Sequence, residues 1–203
     1  MRGGARQLAA LTMAFESWFV IALITLHILR PDLAPSRTMI SRYAVGPYGS
    51  LMTSAFVAAA IADLMLLLGL LRVGPPARSA RWAEVLLGIA VVGLLTSALF
   101  PMDVPPAPAT LAGSIHEASF MVNVACSLLA TLLLATSFGS DVRWRPFQRT
   151  AWALTLAEVV AFVLQVVTIA VRSNYGVANK LFVASAVIWV FAVALRMRAI
   201  SRT

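Results

Sequence analysis

Very little in this sequence cross-links or solvates a fold. Cys126 is the one cysteine in 203 residues. A single thiol forms no internal disulfide, so the fold must stand on packing alone. Charge is scarce too: Asp, Glu, Lys and Arg make up 12% of the chain, against about 25% in a soluble domain. There are two histidines, His27 and His116, and one lysine, Lys180. No segment alternates in the manner of a strand, and no motif repeats along the chain. Aromatic residues do not interleave with basic ones, so the net charge of +8 does not point to nucleic acid.

Apolar side chains fill the sequence instead. They account for 61% of it, and the mean hydropathy is +0.89. They fall in six stretches, at about 8–29, 48–71, 83–100, 114–138, 147–171 and 177–195. Stretches of about 20 residues match the thickness of a bilayer. A lipid-exposed backbone must satisfy its own hydrogen bonds, so each stretch is expected to be a helix. The fold class is therefore all-α: a single multi-pass domain of six transmembrane helices over residues 1–203. Arg2 and Arg6 precede the first stretch, as in a signal peptide. Its apolar part is longer than the 7–15 residues of a signal core, and no small-x-small cleavage site follows. It is read as a retained helix.

The arginines orient the bundle. With the amino terminus inside, eleven basic residues lie on the inner side and five on the outer. Both termini are thus expected in the cytoplasm. Arg30, Arg37 and Arg42 crowd the first outer connector. There Ser36 and Thr38 are expected to cap a short interfacial helix, Pro47 to open the first turn of the second span, and Tyr43 and Tyr48 to sit in the headgroup belt.

Two sets of polar residues follow from this layout. The outer set is His27, Tyr43, Asp103, His116 and Glu117. The intramembrane set is Glu16, Asp63, Asn123, Glu158 and Gln165, with Asn123 and Glu158 near the midplane and Glu16 and Asp63 in the inner half. Ionisable groups inside a bilayer cost about 2.5–3.5 kcal/mol on translocon scales, so these should face the bundle. His27, Asp103 and His116 form a legal three-ligand set for zinc. The two histidines also suit the axial positions of a haem. The graded column of titratable groups is what a proton relay needs. The plainest reading is a His–Asp hydrogen bond that pins the third connector to the first helix.

Three motifs carry a resemblance: Ser-Arg-Tyr-Ala-Val-Gly-Pro-Tyr-Gly (Ser41 to Gly49), Phe-Pro-Met-Asp (Phe100 to Asp103) and Gly-Ser-Ile-His (Gly113 to His116). Spaced over six spans, they make the chain resemble the bacterial membrane family called domain of unknown function 998, along nearly its whole length. Met102 stands where that family often has threonine. The resemblance implies a six-span membrane protein with no assigned activity. More distantly, the chain is similar to membrane hydrolases that hold zinc on aspartate and histidines, without their full histidine complement.

The expectation is a bacterial cytoplasmic membrane protein that binds a lipid, a hydrophobic small molecule or a partner membrane subunit through an outward-facing polar pocket, without catalysis. A metal-dependent hydrolase on His27, Asp103 and His116 is the alternative, and proton-coupled solute movement the third. No cofactor is expected under the leading reading.

Overall fold

Helix is the one regular structure that closes its backbone bonds within a single apolar segment, and all six stretches adopt it. The computed structural model describes residues 2–201. Arg202, counted among the basic residues of the carboxyl end, lies outside the described residues. The helices are α1 (Arg2–Leu29), α2 (Gly49–Val73), α3 (Arg78–Leu99), α4 (Leu111–Ser137), α5 (Gln148–Ala170) and α6 (Tyr175–Ile200). Each is long and apolar enough to cross a membrane. Several extend past the expected apolar limits, because arginines and small residues continue the helix beyond the hydrocarbon. α1, for instance, starts at Arg2 rather than near Leu8.

The helices form a closed ring. Each packs against its neighbours in chain order, and α6 returns to α1. The joint between α4 and α5 is the loosest of the consecutive pairs. α2 also leans across onto α6. That contact is tight at Gly69, where a Cβ would run into the Met197 side chain.

The two ends of the ring are filled differently. At the end carrying the termini, Leu66, Leu70, Leu134, Phe138, Trp144, Val193 and Met197 make a solid core. Trp144 stacks on Phe138 with ring centroids 4.5 Å apart, and its Nε1 donates to the Val73 carbonyl at 2.8 Å. At the opposite end a smaller cluster of Phe19, Leu26, Ile40, Tyr43 and Met52 lies on the α1–α2 side only. The ring is left hollow beside it.

α5 states the membrane logic most clearly. Its buried positions are Ala151, Thr155, Glu158 and Gln165, while Leu156, Val160, Val163 and Val167 face outward. The polar stripe is inside and the apolar surface outside, the reverse of a soluble helix.

The first connector departs from the sequence expectation in three ways. Its short 3-10 turn, Ile40–Ala44, begins after Met39 with no side-chain cap. Ser36 and Thr38 are committed elsewhere: their carbonyls accept from the Gly176 backbone N–H and the Lys180 ammonium. Pro47 precedes α2 instead of opening it, because the chain reverses at Gly46 (φ +88) and Tyr48 (φ 60). Tyr43 is fully buried rather than at a headgroup surface, and only Tyr48 is exposed. Of the three arginines here, Arg30 is 4% exposed. Its guanidinium clasps the Asp32 carboxylate with two bonds of 2.8 Å and donates to the Val45 and Pro47 carbonyls. It is a fastener of the loop.

Candidate functional site

The hollow in the ring is a cavity of about 630 Å³. It runs from the loops at the end opposite the termini down to the middle of the bundle. Met39, Ile40 and Ser41 form one side of its mouth, and Met102, Asp103, Pro105 and Ala109 the other. Phe19, Phe56, Leu94, Phe182, Val183 and Val187 are among the apolar residues of its wall. Eight of the ten polar side chains singled out above line it; His27 and Tyr43 do not.

At the mouth, Asp103 is used twice. Its Oδ2 accepts the Thr110 backbone N–H at 2.8 Å, and its Oδ1 accepts the Thr110 hydroxyl at 2.7 Å. Thr110 is the cap of α4, and its Oγ1 accepts the Gly113 N–H at 3.0 Å. The result is a relay from carboxylate to cap to helix start, which satisfies a donor that a helix leaves free. These bonds, the Thr110 backbone N–H first, hold the Asp103 carboxyl below the usual carboxylate range. The helix start must come close for this to work: a Cβ on Gly113 would collide with the Asp103 carboxylate.

His116 closes the adjoining wall. Its Nδ1 lies 2.8 Å from the Ser97 carbonyl and 2.9 Å from that of Phe100. Carbonyls only accept, so Nδ1 carries the proton, and a neutral ring keeps Nε2 as an acceptor. The residue thereby ties the frayed end of α3, where carbonyls lack helical partners, to α4. The expected bond between a histidine and Asp103 does not form. Each prefers the nearer unsatisfied backbone of its own helix–loop–helix corner.

His27 is elsewhere. Its Nδ1 lies 2.7 Å from the Leu23 carbonyl, and its ring packs 4.9 Å from that of Tyr43. α1 and α4 are not neighbours in the ring, so His27 and His116 do not meet. Among the described residues no three His, Cys, Asp or Glu side chains are close enough to hold one metal ion. The proposed set of His27, Asp103 and His116 is therefore not brought together. The haem reading asks for both histidines at one site, and only His116 lines the cavity. Glu117 lies at the mouth, turned from His116 as its one-residue offset requires.

Deeper in, the three carboxylates stand at one level. Glu16, Asp63 and Glu158 are respectively 13, 14 and 12 residues from the loop-end termini of their helices, or about 18–21 Å at 1.5 Å per residue. The sequence had divided them between the midplane and the inner half. Asp63 lies within electrostatic reach of both Glu16 and Glu158. Glu158 is 1% exposed, beside Thr131, and its Oε2 has no hydrogen-bond partner.

The two amides are structural as well as cavity-lining. Asn123 Nδ2 donates to the Ala90 carbonyl at 2.9 Å, where Gly93 lets α3 and α4 approach closely. Gln165 Oε1 accepts from Asn179 Nδ2 at 3.2 Å, and Asn179 Oδ1 accepts the Ile40 N–H at 2.8 Å. Asn179 thus joins the first connector, α5 and α6 at one point. The sequence reading missed it, although an asparagine inside an apolar span is the same signal that identified Asn123. Lys180 was missed too. Its Nζ donates to the carbonyls of Pro35 and Thr38 at 2.9 and 2.7 Å and to that of Gly176 at 3.3 Å.

Six apolar helices around a central cavity define a multi-pass membrane bundle. The chain belongs to the family described as protein of unknown function DUF998, whose model matches residues 13–196. No curated protein and no solved structure matches it.

Proposed function

We propose that this chain is a non-enzymatic binding protein of a bacterial cytoplasmic membrane. It holds a lipid or a hydrophobic small molecule in a pocket that opens on the outer face. One observation carries the reading: a cavity of about 630 Å³, of the size that takes a drug-sized ligand, with a mainly apolar wall and a few polar groups. The excess of arginine at the end carrying the termini supports a cytoplasmic position for that end and an outward mouth. Access from the lipid is supported by Met121 and Ile169. Both line the cavity and both are more than a third exposed, on the two helices of the loose α4–α5 joint. The hydrolase reading has less support, because His27 stands apart from Asp103 and His116.

The test uses N-phenylnaphthylamine, a neutral dye that brightens in apolar sites, on the purified protein in detergent. Saturable brightening above empty micelles is expected. Ala186→Trp, which fills the cavity from α6, should remove it without lowering the melting temperature. Equal brightening in Ala186→Trp would overturn the cavity as the binding site. For orientation, Ala109→Cys in a Cys126→Ala background should react with an impermeant maleimide in intact cells. Reaction only after lysis would reverse the topology.

A further inference from the structure

The charges around the cavity are one-sided. Five of the eight acidic residues of the chain line it, and among the described residues no arginine or lysine does. Three of the five, Glu16, Asp63 and Glu158, sit at mid-depth. Among the described residues they make no ion pair with a cation and accept no hydrogen bond from an arginine or lysine. Buried charges are paired in stable proteins, because an uncompensated one is costly. Glu158, which lines the cavity, has a buried Oε2 with nothing bonded to it.

The same cavity carries aromatic rings. Phe19, Phe56, Phe120 and Phe182 all line the cavity, with no tyrosine or tryptophan. Ring faces attract cations, and aromatic walls are how proteins recognise ammonium groups that offer no hydrogen-bond geometry of their own. A metal ion fits this arrangement poorly, since the carboxylates stand too far apart to ligate one together. A larger cation, with its charge spread over or shielded by apolar substituents, spans them.

We propose that the cavity is a binding site for lipophilic organic cations: an amine or quaternary onium centre held between Glu158, Asp63 and Glu16, with its apolar body against the phenylalanines. This rests on the binding function proposed above and names its ligand class. The cation has two conceivable sources, an amine-bearing lipid of the membrane or a soluble hydrophobic cation. Both present the same chemistry to the site.

The experiment compares tetraphenylphosphonium with tetraphenylborate, an anion of nearly the same shape. Equilibrium dialysis against the intact protein in a neutral detergent measures both, with empty micelles subtracted. The phosphonium should bind saturably and at least tenfold more tightly than the borate, about 1.4 kcal/mol. Glu158→Gln and Asp63→Asn should each erode that ratio while N-phenylnaphthylamine binding persists, which shows that the pocket is still folded. Should one variant fail to fold, the other carries the test. If the dye binds but cation and anion bind alike, cation recognition is wrong and the binding function stands. If neither dye nor cation binds, both fall. Mass spectrometry of the purified protein separates the sources. A co-purifying amine lipid assigns the ligand to the membrane, and phosphonium binding without one assigns it to solution.

Discussion

Asp103 holds Thr110 through both carboxylate oxygens, one on its backbone N–H and one on its hydroxyl. This single contact closes the third connector and caps α4. It has a consequence for acid stability. The Asp103 carboxyl is held below the ordinary range, chiefly by the Thr110 N–H and then by its hydroxyl. A depressed carboxyl contributes stability that is complete above its unfolded value of about 4 and is lost as pH falls through the folded value. Asp32 and Asp141 are lowered in the same way by Arg30 and Arg143, so the wild type should lose stability in acid through all three. Asp103→Asn should melt earlier at neutral pH and show a shallower loss below about pH 4. Melting curves of the two proteins from neutral to acid pH decide it. Parallel acid limbs would remove Asp103 as a contributor.

Gly113 gives a second test, through a cycle. The three atoms nearest a Cβ at this position all belong to the Asp103 carboxylate. Gly113→Ala should therefore destabilise the protein by displacing that carboxylate from Thr110. In an Asp103→Ala background the obstacle is gone. Alanine is then better than glycine inside a helix by about 0.5–1 kcal/mol, so the same substitution should be neutral or stabilising. The reversal of sign is the prediction, and thermal melting of the four proteins measures it. Destabilisation of equal size in both backgrounds would mean that Gly113 is needed for some reason other than Asp103.

The sequence revealed the helices and most of the cavity lining for one physical reason. In a bilayer, a polar side chain within an apolar run has nowhere to point but inward. Glu16, Asp63, Asn123, Glu158 and Gln165 were each legible by that rule alone, and all five line the cavity. Partners were not legible, because they depend on the order of helices around the ring. His27 and His116 lie toward the same end of the bundle but on helices that are not neighbours. The aromatic wall was hidden as well, since phenylalanine in a span is equally at home facing lipid. The buried state of Tyr43 follows from the 3-10 turn that carries it inward, against the general preference of tyrosine for the interface. The resemblance, carried by three short motifs, proved right about the family and silent about the ligand.

His116 is where the structural and chemical readings of a histidine part most sharply. Its proton is shared between the Ser97 and Phe100 carbonyls, and the residue is 9% exposed. If that donation is its work, the side chain can be replaced by one that places an N–H at the same point. Asparagine does so, because its Nδ2 occupies nearly the position of the ring Nδ1. His116→Ala leaves two carbonyls at the end of α3 without this donor and should cost about 1–3 kcal/mol. His116→Asn should recover a large part of that. A ligand or a base would behave otherwise, since the asparagine amide neither coordinates metal in place of imidazole nor accepts a proton. Unfolding of the two variants in mixed micelles against SDS gives the stabilities, and dye binding gives the state of the cavity. Asparagine no better than alanine would show that the ring acts through its second nitrogen and not through the bonds that tie α3 to α4.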